Sequence, residues 1–270
     1  MVIKDKVAVV TGAGSGIGQA VARELACRGV SALALVDRNE AVHEVAETIQ
    51  RLGGAWADAF VGDVTAPAFR SEVFDIVVAQ RGVPQICVPA AGITRDALTV
   101  RLNKETGKAV LYSVDDFRAT LEVNLVAPIY WALEMVARIA EDRRARGLGR
   151  WAAAEHIQGT AIFIGSVSSQ GNKGQIAYAA TKAGLEGAAR TLTTEAMYYG
   201  VRCGVIHPGF TDTPMVRALG EEYIQQRILP ATQLQRLIHP EEIADAICFM
   251  IANSAVSGEL WADAGWHPSA

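Results

Sequence analysis

The sequence predicts a single α/β domain over residues 1–270, a doubly wound parallel sheet of about seven strands with helices on both faces. Three observations carry that reading. Short apolar, β-branched runs alternate along the chain with longer amphipathic stretches. The first such run, Val7–Val10, opens into a glycine-rich turn followed at once by a helical pattern. Finally, half of the 270 residues are hydrophobic and a fifth are charged, enough for one large core and too apolar for disorder.

Composition also excludes function classes. A net charge of -4 and a pI near 5.8 give no basic surface for nucleic acid, and no Lys/Arg cluster marks a membrane face. Cys27, Cys87, Cys203 and Cys248 are far apart with no Cys-x-x-Cys pair, so no metal site is expected and the thiols should be reduced and mostly buried. No secretory leader pattern and no apolar run of roughly eighteen residues occurs, which together with free thiols predicts a cytoplasmic protein.

Taken in order, Val7–Val10 is a strand, Thr11-Gly12-Ala13-Gly14-Ser15-Gly16-Ile17-Gly18 a turn, and Gln19–Arg28 a helix with apolar Ala20, Val21, Leu25 and Ala26. Strand, glycine turn and helix form a phosphate cradle: the backbone can approach a pyrophosphate closely, and the helix start offers free N–H groups. A second strand, Ala32–Val36, ends at Asp37, about twenty residues past the turn, where a carboxylate can hydrogen-bond both ribose hydroxyls of NAD and repel the 2′-phosphate of NADP. Arg38 partly offsets that repulsion, and a helix-capping role for Asp37 is the competing reading. NAD is therefore favoured over NADP.

Ala41–Leu52 is an amphipathic helix stopping at Gly53-Gly54, Ala57–Val61 a third strand before Asp63-Val64, Phe69–Arg81 a helix and Gln85–Val88 a fourth strand before Pro89-Ala90-Ala91-Gly92. Val100–Ser113 reads as a polar surface insertion. Val114–Glu141 reads as a long helix interrupted near Pro128, with Asn124 in its middle, and Asp142–Gln158 as a second insertion. Ile162-Phe163-Ile164 is a buried strand, and Ser166 follows it where strands of open α/β sheets end and ligands bind. Tyr178 and Lys182, four residues apart on the next helix, lie one above the other, so a hydroxyl, a phenol and an ammonium converge. That helix runs to about Tyr199. Val201–Ile206 is a sixth strand ending at His207-Pro208-Gly209, where His207 suits a turn structure better than a general base. Residues 209–237 mix apolar and charged residues as a substrate lid would. Pro240 starts the last helix, and Ser257–Gly265 supplies a seventh, edge strand.

The Thr-Gly-x-x-x-Gly-x-Gly turn, Ser166, Tyr178-x-x-x-Lys182 and Pro208-Gly209 together resemble the classical short-chain dehydrogenase/reductase family over almost the whole chain, Val7 to Gly265. The string from Ala91 to Asp96, Ala-Gly-Ile-Thr-Arg-Asp, resembles its 3-oxoacyl-[acyl-carrier-protein] reductases. The resemblance implies a Rossmann-type fold with the cofactor held by Gly12, Ser15, Gly16, Ile17, Gly18, Asp37, Asp63, Val64, Ala91, Gly92, Tyr178, Lys182, Pro208, Gly209, Thr211 and Thr213. Within that set Asp63 meets the adenine amino group, Val64 the ring, and Thr213 is preferred to Thr211 by spacing. It further implies that Asn124 distorts its helix and holds a water joining Lys182 to solvent, and that the C-terminal segment builds a homotetramer or homodimer. Pro89-Ala90 stands where the family usually has two asparagines, and Ala264 where it has a glycine.

Hydride transfer between an alcohol carbon and a nicotinamide needs an acid/base on the oxygen. Tyr178 takes that role, with Lys182 expected to lower its pKa, Ser166 to donate to the substrate oxygen, with Ser168 as the rival, and Asn124 to complete a proton path. The expected reaction is oxidation of a secondary alcohol or reduction of a ketone, small-molecule chemistry with no nucleic-acid or membrane partner. A 3-oxoacyl thioester reductase is the alternative, and a non-catalytic dinucleotide-binding sensor or scaffold the reading from another class.

Overall fold

The computed structural model describes residues 1–53 and 55–266; the Gly54 half of the expected Gly53-Gly54 helix stop lies outside them. Seven strands form one all-parallel sheet: β1 (Val7–Thr11), β2 (Ala32–Asp37), β3 (Trp56–Val61), β4 (Ile86–Pro89), β7 (Gly159–Ile164), β8 (Val201–Pro208) and β9 (Gly258–Ala262). Their order is β3-β2-β1-β4-β7-β8-β9, with β9 at one edge. This is the Rossmann-type α/β fold that the sequence predicts.

The strands are apolar throughout because both faces are covered. In β1, Ala8 and Val10 face the core under α1 (Gly16–Cys27), α2 (Ala41–Arg51) and α9 (Pro240–Ala252), while Val7 and Val9 face the core under α3 (Pro67–Arg81), α5 (Ala127–Ala145) and α6 (Ile176–Ala196). The alternation is the two-residue period of a strand. Trp131 of α5 is fully buried in the second core, and its indole N–H donates to Val64 O at 3.0 Å. After β3 the chain returns to lay β4 against the opposite side of β1, with Thr11 level with Pro89. The strand order reverses there, and the carboxyl ends of β1 and β4 diverge into a crevice.

Three expectations change. The insertion at 100–113 is a β-hairpin, β5 (Val100–Leu102) paired antiparallel with β6 (Ala109–Leu111), and Leu102 and Leu111 on it are exposed. Its turn is built by Asn103 Oδ1, which accepts the Glu105 and Thr106 N–H groups at 2.9 and 3.0 Å, and by Gly107 at φ 67°. The long helix is interrupted not at Pro128 but earlier: α4 (Val114–Leu121) passes into a π turn over Glu122–Val126, where Ala127 N–H reaches back to Glu122 O, before α5. Pro128 then falls in the first turn of α5, where its missing N–H costs nothing. By length and composition this segment, Val114–Ala145, would also suffice to cross a membrane. Here Trp131, Ala132, Met135 and Ile139 pack it onto the sheet instead.

The second insertion is shorter than expected, since α5 continues to Ala145. Buried Arg143 closes it with a bidentate pair to Glu155, at 2.7 and 3.2 Å, and a bond to Gly149 O at 2.8 Å. Cys87, Cys203 and Cys248 are buried free thiols, and Cys27 is exposed. Residues 209–237 carry α7 (Pro214–Arg217), α8 (Glu221–Tyr223) and a π turn over Ile224–Ile228, gathered on their own apolar cluster of Ile224, Ile228 and Leu237.

Candidate active site

A cleft of about 740 Å³ opens at the carboxyl ends of β1, β2 and β4. One wall is the glycine turn. Gly12 has φ 66°, and a β-carbon there would lie 2.7 Å from Ala91 N; one at Gly18 would collide with Gly12 O. These two glycines let the first helix start directly beneath the turn and let the strand β4 terminus approach it. Thr11 Oγ1 accepts the Ala91 N–H at 3.2 Å, and Thr11 O accepts that of Ala90, also at 3.2 Å. The two backbone groups after Pro89 are thus tied to β1 without the asparagines that the resemblance leads one to look for.

Gly12, Ser15, Gly16, Ile17, Gly18, Asp37, Asp63, Val64, Ala91, Gly92, Tyr178, Lys182 and Thr213 all line the cleft, as does Arg38. Pro208, Gly209 and Thr211 do not. Gly209 N–H is engaged by Ala262 O at 3.0 Å, and Thr211 is buried, its hydroxyl turned to Gly209 O at 3.1 Å. Asp37 Oδ2 accepts the Gly14 N–H at 2.9 Å and its Oδ1 that of Asn39 at 3.0 Å, so the carboxylate is fixed over the glycine turn. Asp63 Oδ1 accepts the Thr65 N–H and hydroxyl at 2.9 and 2.8 Å and so organises the chain ahead of α3.

At the other end, Ser166 caps a short 3₁₀ turn by accepting the Ser168 N–H at 3.1 Å. Ser166 acts on the Tyr178 phenol, favouring its ionised form, whereas the Ser168 hydroxyl is turned to Asn172 Nδ2 at 3.4 Å. Lys182 is buried, and its ammonium donates to Ile164 O at 2.7 Å, 5.3 Å from the Tyr178 ring centre. Asn124, fully buried in the π turn, accepts the Ile93 N–H and donates to Ile93 O, both at 2.8 Å. Its amide therefore anchors the segment after Gly92.

Electrostatics correct one expectation. Burial pushes the Tyr178 phenol up to about 12, helped by the Asp96 carboxylate and opposed by Ser166; Lys182 does not lower it here. Burial likewise pulls Lys182 down to about 8. Desolvation dominates both groups, and the ammonium is engaged by a carbonyl. Three groups were given no role from sequence: Thr11, the Ile164 carbonyl, and Asp96, held by Gln175 Nε2 at 2.8 Å. His207 is no base in the cleft: it is fully buried, with Nδ1 3.1 Å from Ser166 O and 3.3 Å from Ser166 N. Thr11, at the head of the glycine pattern, and Asp96, at the end of the string from Ala91, carried a signal in the sequence.

Comparison with known proteins agrees with this geometry. Residues 6–224 match the family model of the short chain dehydrogenases. The chain is 32% identical over 262 residues to the 3-oxoacyl-[acyl-carrier-protein] reductase of Escherichia coli, covering 96% of each chain. It is 34% identical over 256 residues to the enzyme of that name from Pseudomonas aeruginosa, covering 94% of this chain and 93% of the relative. With the (3R)-3-hydroxyacyl-CoA dehydrogenase of Canis lupus familiaris it shares 29% identity over 264 residues, 94% of this chain and 92% of the other.

Proposed function

The chain belongs to the short-chain dehydrogenase family, an oxidoreductase family that uses a nicotinamide dinucleotide, and we propose that it transfers hydride between NAD(H) and a secondary alcohol or ketone. The observation that carries the reading is the meeting of Tyr178 and Lys182 at one end of a cleft whose other end is the glycine turn, with Ser166 acting on the phenol. The cofactor fits that cleft: Gly14 lies so close to Asp37 that a β-carbon there would sit 3.0 Å from its carboxylate oxygen.

Gly12, Ser15, Gly16, Ile17 and Gly18 hold the pyrophosphate, Asp37 the adenosine ribose, Asp63 and Val64 the adenine, and Ala91, Gly92 and Thr213 the nicotinamide half, with Pro208, Gly209 and Thr211 shaping the loop behind. When bound, the nicotinamide supplies or accepts the hydride and in its oxidised form adds a positive charge beside the phenol. Tyr178, a neutral phenol in the free protein, gives its proton to the substrate oxygen in the reducing direction and takes it back in the oxidising one. Ser166 donates to the same oxygen as negative charge develops. Lys182 contributes charge at the phenol and the cofactor ribose, with Asn124 maintaining the π turn and a water path behind it. Asp37 argues for NAD over NADP.

The whole chain acts as one nucleotide-binding domain in this reading, with 209–237 as its lid: Pro214 and Met215 already line the cleft. A cytoplasmic homodimer or homotetramer is the proposed form. A second reading, reduction of a 3-oxoacyl thioester, is favoured by the named relatives and by the string from Ala91 to Asp96. A non-catalytic sensor is disfavoured by the retained Ser166, Tyr178 and Lys182. One experiment separates the three: following reduced-nicotinamide absorbance with NADH and NADPH separately, against secondary alcohols, ketones and 3-oxoacyl thioesters. Turnover of simple ketones with NADH supports the first reading, turnover confined to thioesters the second, and binding of NAD without any turnover the third.

A further inference from the structure

Glu186 follows Tyr178 and Lys182 at four-residue spacing along α6, so the same helix face carries all three. It ends beside β8 and β9. Glu186 Oε1 lies 3.9 Å from His207 Nε2, and Glu259 Oε2 lies 3.6 Å from that nitrogen. The ligand atoms of the three residues all fall within 4.8 Å of one another. His207 is completely buried, and its Nε2 has no hydrogen-bond partner among the described residues. The ring is held in place: it stacks on Trp261 with centres 4.1 Å apart, and a β-carbon at Gly165 would lie 2.7 Å from Nδ1.

Neither neutral form of this imidazole is satisfied. With the proton on Nε2, the nearest acceptor is 3.6 Å away, beyond a hydrogen bond. With the proton on Nδ1, that N–H donates to Ser166 O at 3.1 Å, and the bare Nε2 lone pair then faces two carboxylates. Three acceptors without a donor, one of them buried, are electrostatically unfavourable unless a metal cation lies between them or the ring carries a proton on both nitrogens, and a metal titration separates the two. The arrangement has the form of a metal-binding histidine, whose second ring N–H ordinarily goes to a backbone carbonyl or carboxylate.

The spacing suits a small divalent ion. Tetrahedral zinc with bonds of about 2.0 to 2.1 Å sets its ligand atoms about 3.4 Å apart. Closing from 3.6 and 3.9 Å requires only small side-chain adjustments of the glutamates, whose side chains are 21% and 22% exposed and leave an open side for water. Arg190 Nη2, itself exposed, holds Glu259 Oε1 at 2.5 Å and thereby leaves Oε2 turned toward His207. One imidazole and two carboxylates, without thiolate or a full oxygen cage, select the zinc class over calcium or copper(I).

We propose that Glu186, His207 and Glu259 bind a divalent cation of the zinc class, which ties α6, β8 and β9 together and fixes the Ser166 backbone through His207 Nδ1. The ion is a positioning element and takes no part in hydride transfer. The proposed site departs from the expectation of no metal, which rested on the cysteines, since none of its ligands is one.

The test uses the tag-free full-length protein stripped of metal, titrated with Co²⁺ as a spectroscopic probe and then with Zn²⁺. One equivalent of Co²⁺ should develop visible ligand-field absorption, Zn²⁺ should displace it, and Zn²⁺ should raise Tm. Glu186→Gln and the double variant Glu186→Gln/Glu259→Gln should lose both the absorption and the Tm rise, while Cys27→Ser keeps both. The single variant leaves the Glu259–Arg190 pair intact and so guards against a folding defect in the double one. No Co²⁺ absorption in the wild-type protein, or the same absorption in Glu186→Gln, overturns the proposal. Neither result depends on which substrate, if any, the cleft turns over.

Discussion

Lys182 donates to the carbonyl of Ile164, the last residue of β7, at 2.7 Å, and this bond rather than the phenol takes up its ammonium in the free protein. It joins the helix that carries Tyr178 to the strand that delivers Ser166. Tyr178 is consequently a neutral, desolvated phenol, pushed up to about 12, prepared to donate a proton.

Replacing the phenol oxygen removes the acid/base assigned to the substrate oxygen. Tyr178→Phe should lower kcat by about 10² to 10⁴-fold, the usual contribution of general acid/base catalysis. The glycine turn is untouched by this change, so NADH affinity measured by fluorescence titration should stay close to that of the wild type. A variant that keeps normal turnover with a good substrate would remove Tyr178 from the mechanism.

Ser166 and Ser168 separate cleanly. Ser166 acts on the Tyr178 phenol, while the Ser168 hydroxyl is turned to Asn172. Ser166→Ala should therefore cost about 10² to 10³-fold in kcat, as the loss of an oxyanion donor does elsewhere. Ser168→Ala should leave kcat nearly unchanged. The opposite order of the two effects would exchange their roles.

Asp37 accepts the Gly14 N–H and presents its charge to the cleft next to Arg38. Asp37→Asn keeps an acceptor and removes the charge. Hydrogen bonds to charged groups contribute about 1.5 to 3 kcal/mol, so the ratio of kcat/KM for NADH over NADPH should fall by about 10-fold or more. An unchanged ratio, or a wild-type preference for NADPH, would refute the NAD assignment.

Much of this was legible in the sequence because it rests on local spacing. The glycine turn, the Tyr178–Lys182 pair and Asp37 after its strand each lie within one element or one turn, where periodicity determines placement. What escaped depends on which strands become neighbours. His207 reaches Ser166 only because β8 lies beside β7, and the grouping of Glu186, His207 and Glu259 draws on α6, β8 and β9. The hairpin at 100–111 was hidden by its composition, since Lys104, Glu105 and Lys108 make its turn look like a polar loop while its strands expose leucines. Residue pattern alone put the helix interruption near Pro128, the strongest helix-breaking signal in that segment, while the resemblance put a distortion at Asn124, which is where the π turn lies and whose amide is bound to Ile93 on both sides.

Burial of Lys182 predicts how stability varies with pH. Its folded value, about 8, lies below the ordinary 10.5 of an exposed lysine, so the folded chain releases this proton before the unfolded chain does. Between pH 8 and 10.5 the unfolded state therefore binds more protons, and stability rises with pH, by at most about 1.4 kcal/mol per pH unit for one group. Tyr178 acts oppositely: its folded value of about 12 exceeds the ordinary 10, so above pH 10 the folded state holds the extra proton and stability falls. Buried Cys87, Cys203 and Cys248, whose thiols burial pushes well above their ordinary value, also lower stability as pH rises through this window. The Lys182 effect is therefore read as the difference between the wild type and a variant without the lysine. Lys182→Met removes the titrating group while preserving an apolar stem of similar length, so urea denaturation across that window should show wild-type stability rising relative to the variant. Parallel curves for the two proteins would mean that the Lys182 ammonium stays protonated in the fold, and that the Ile164 carbonyl compensates its burial.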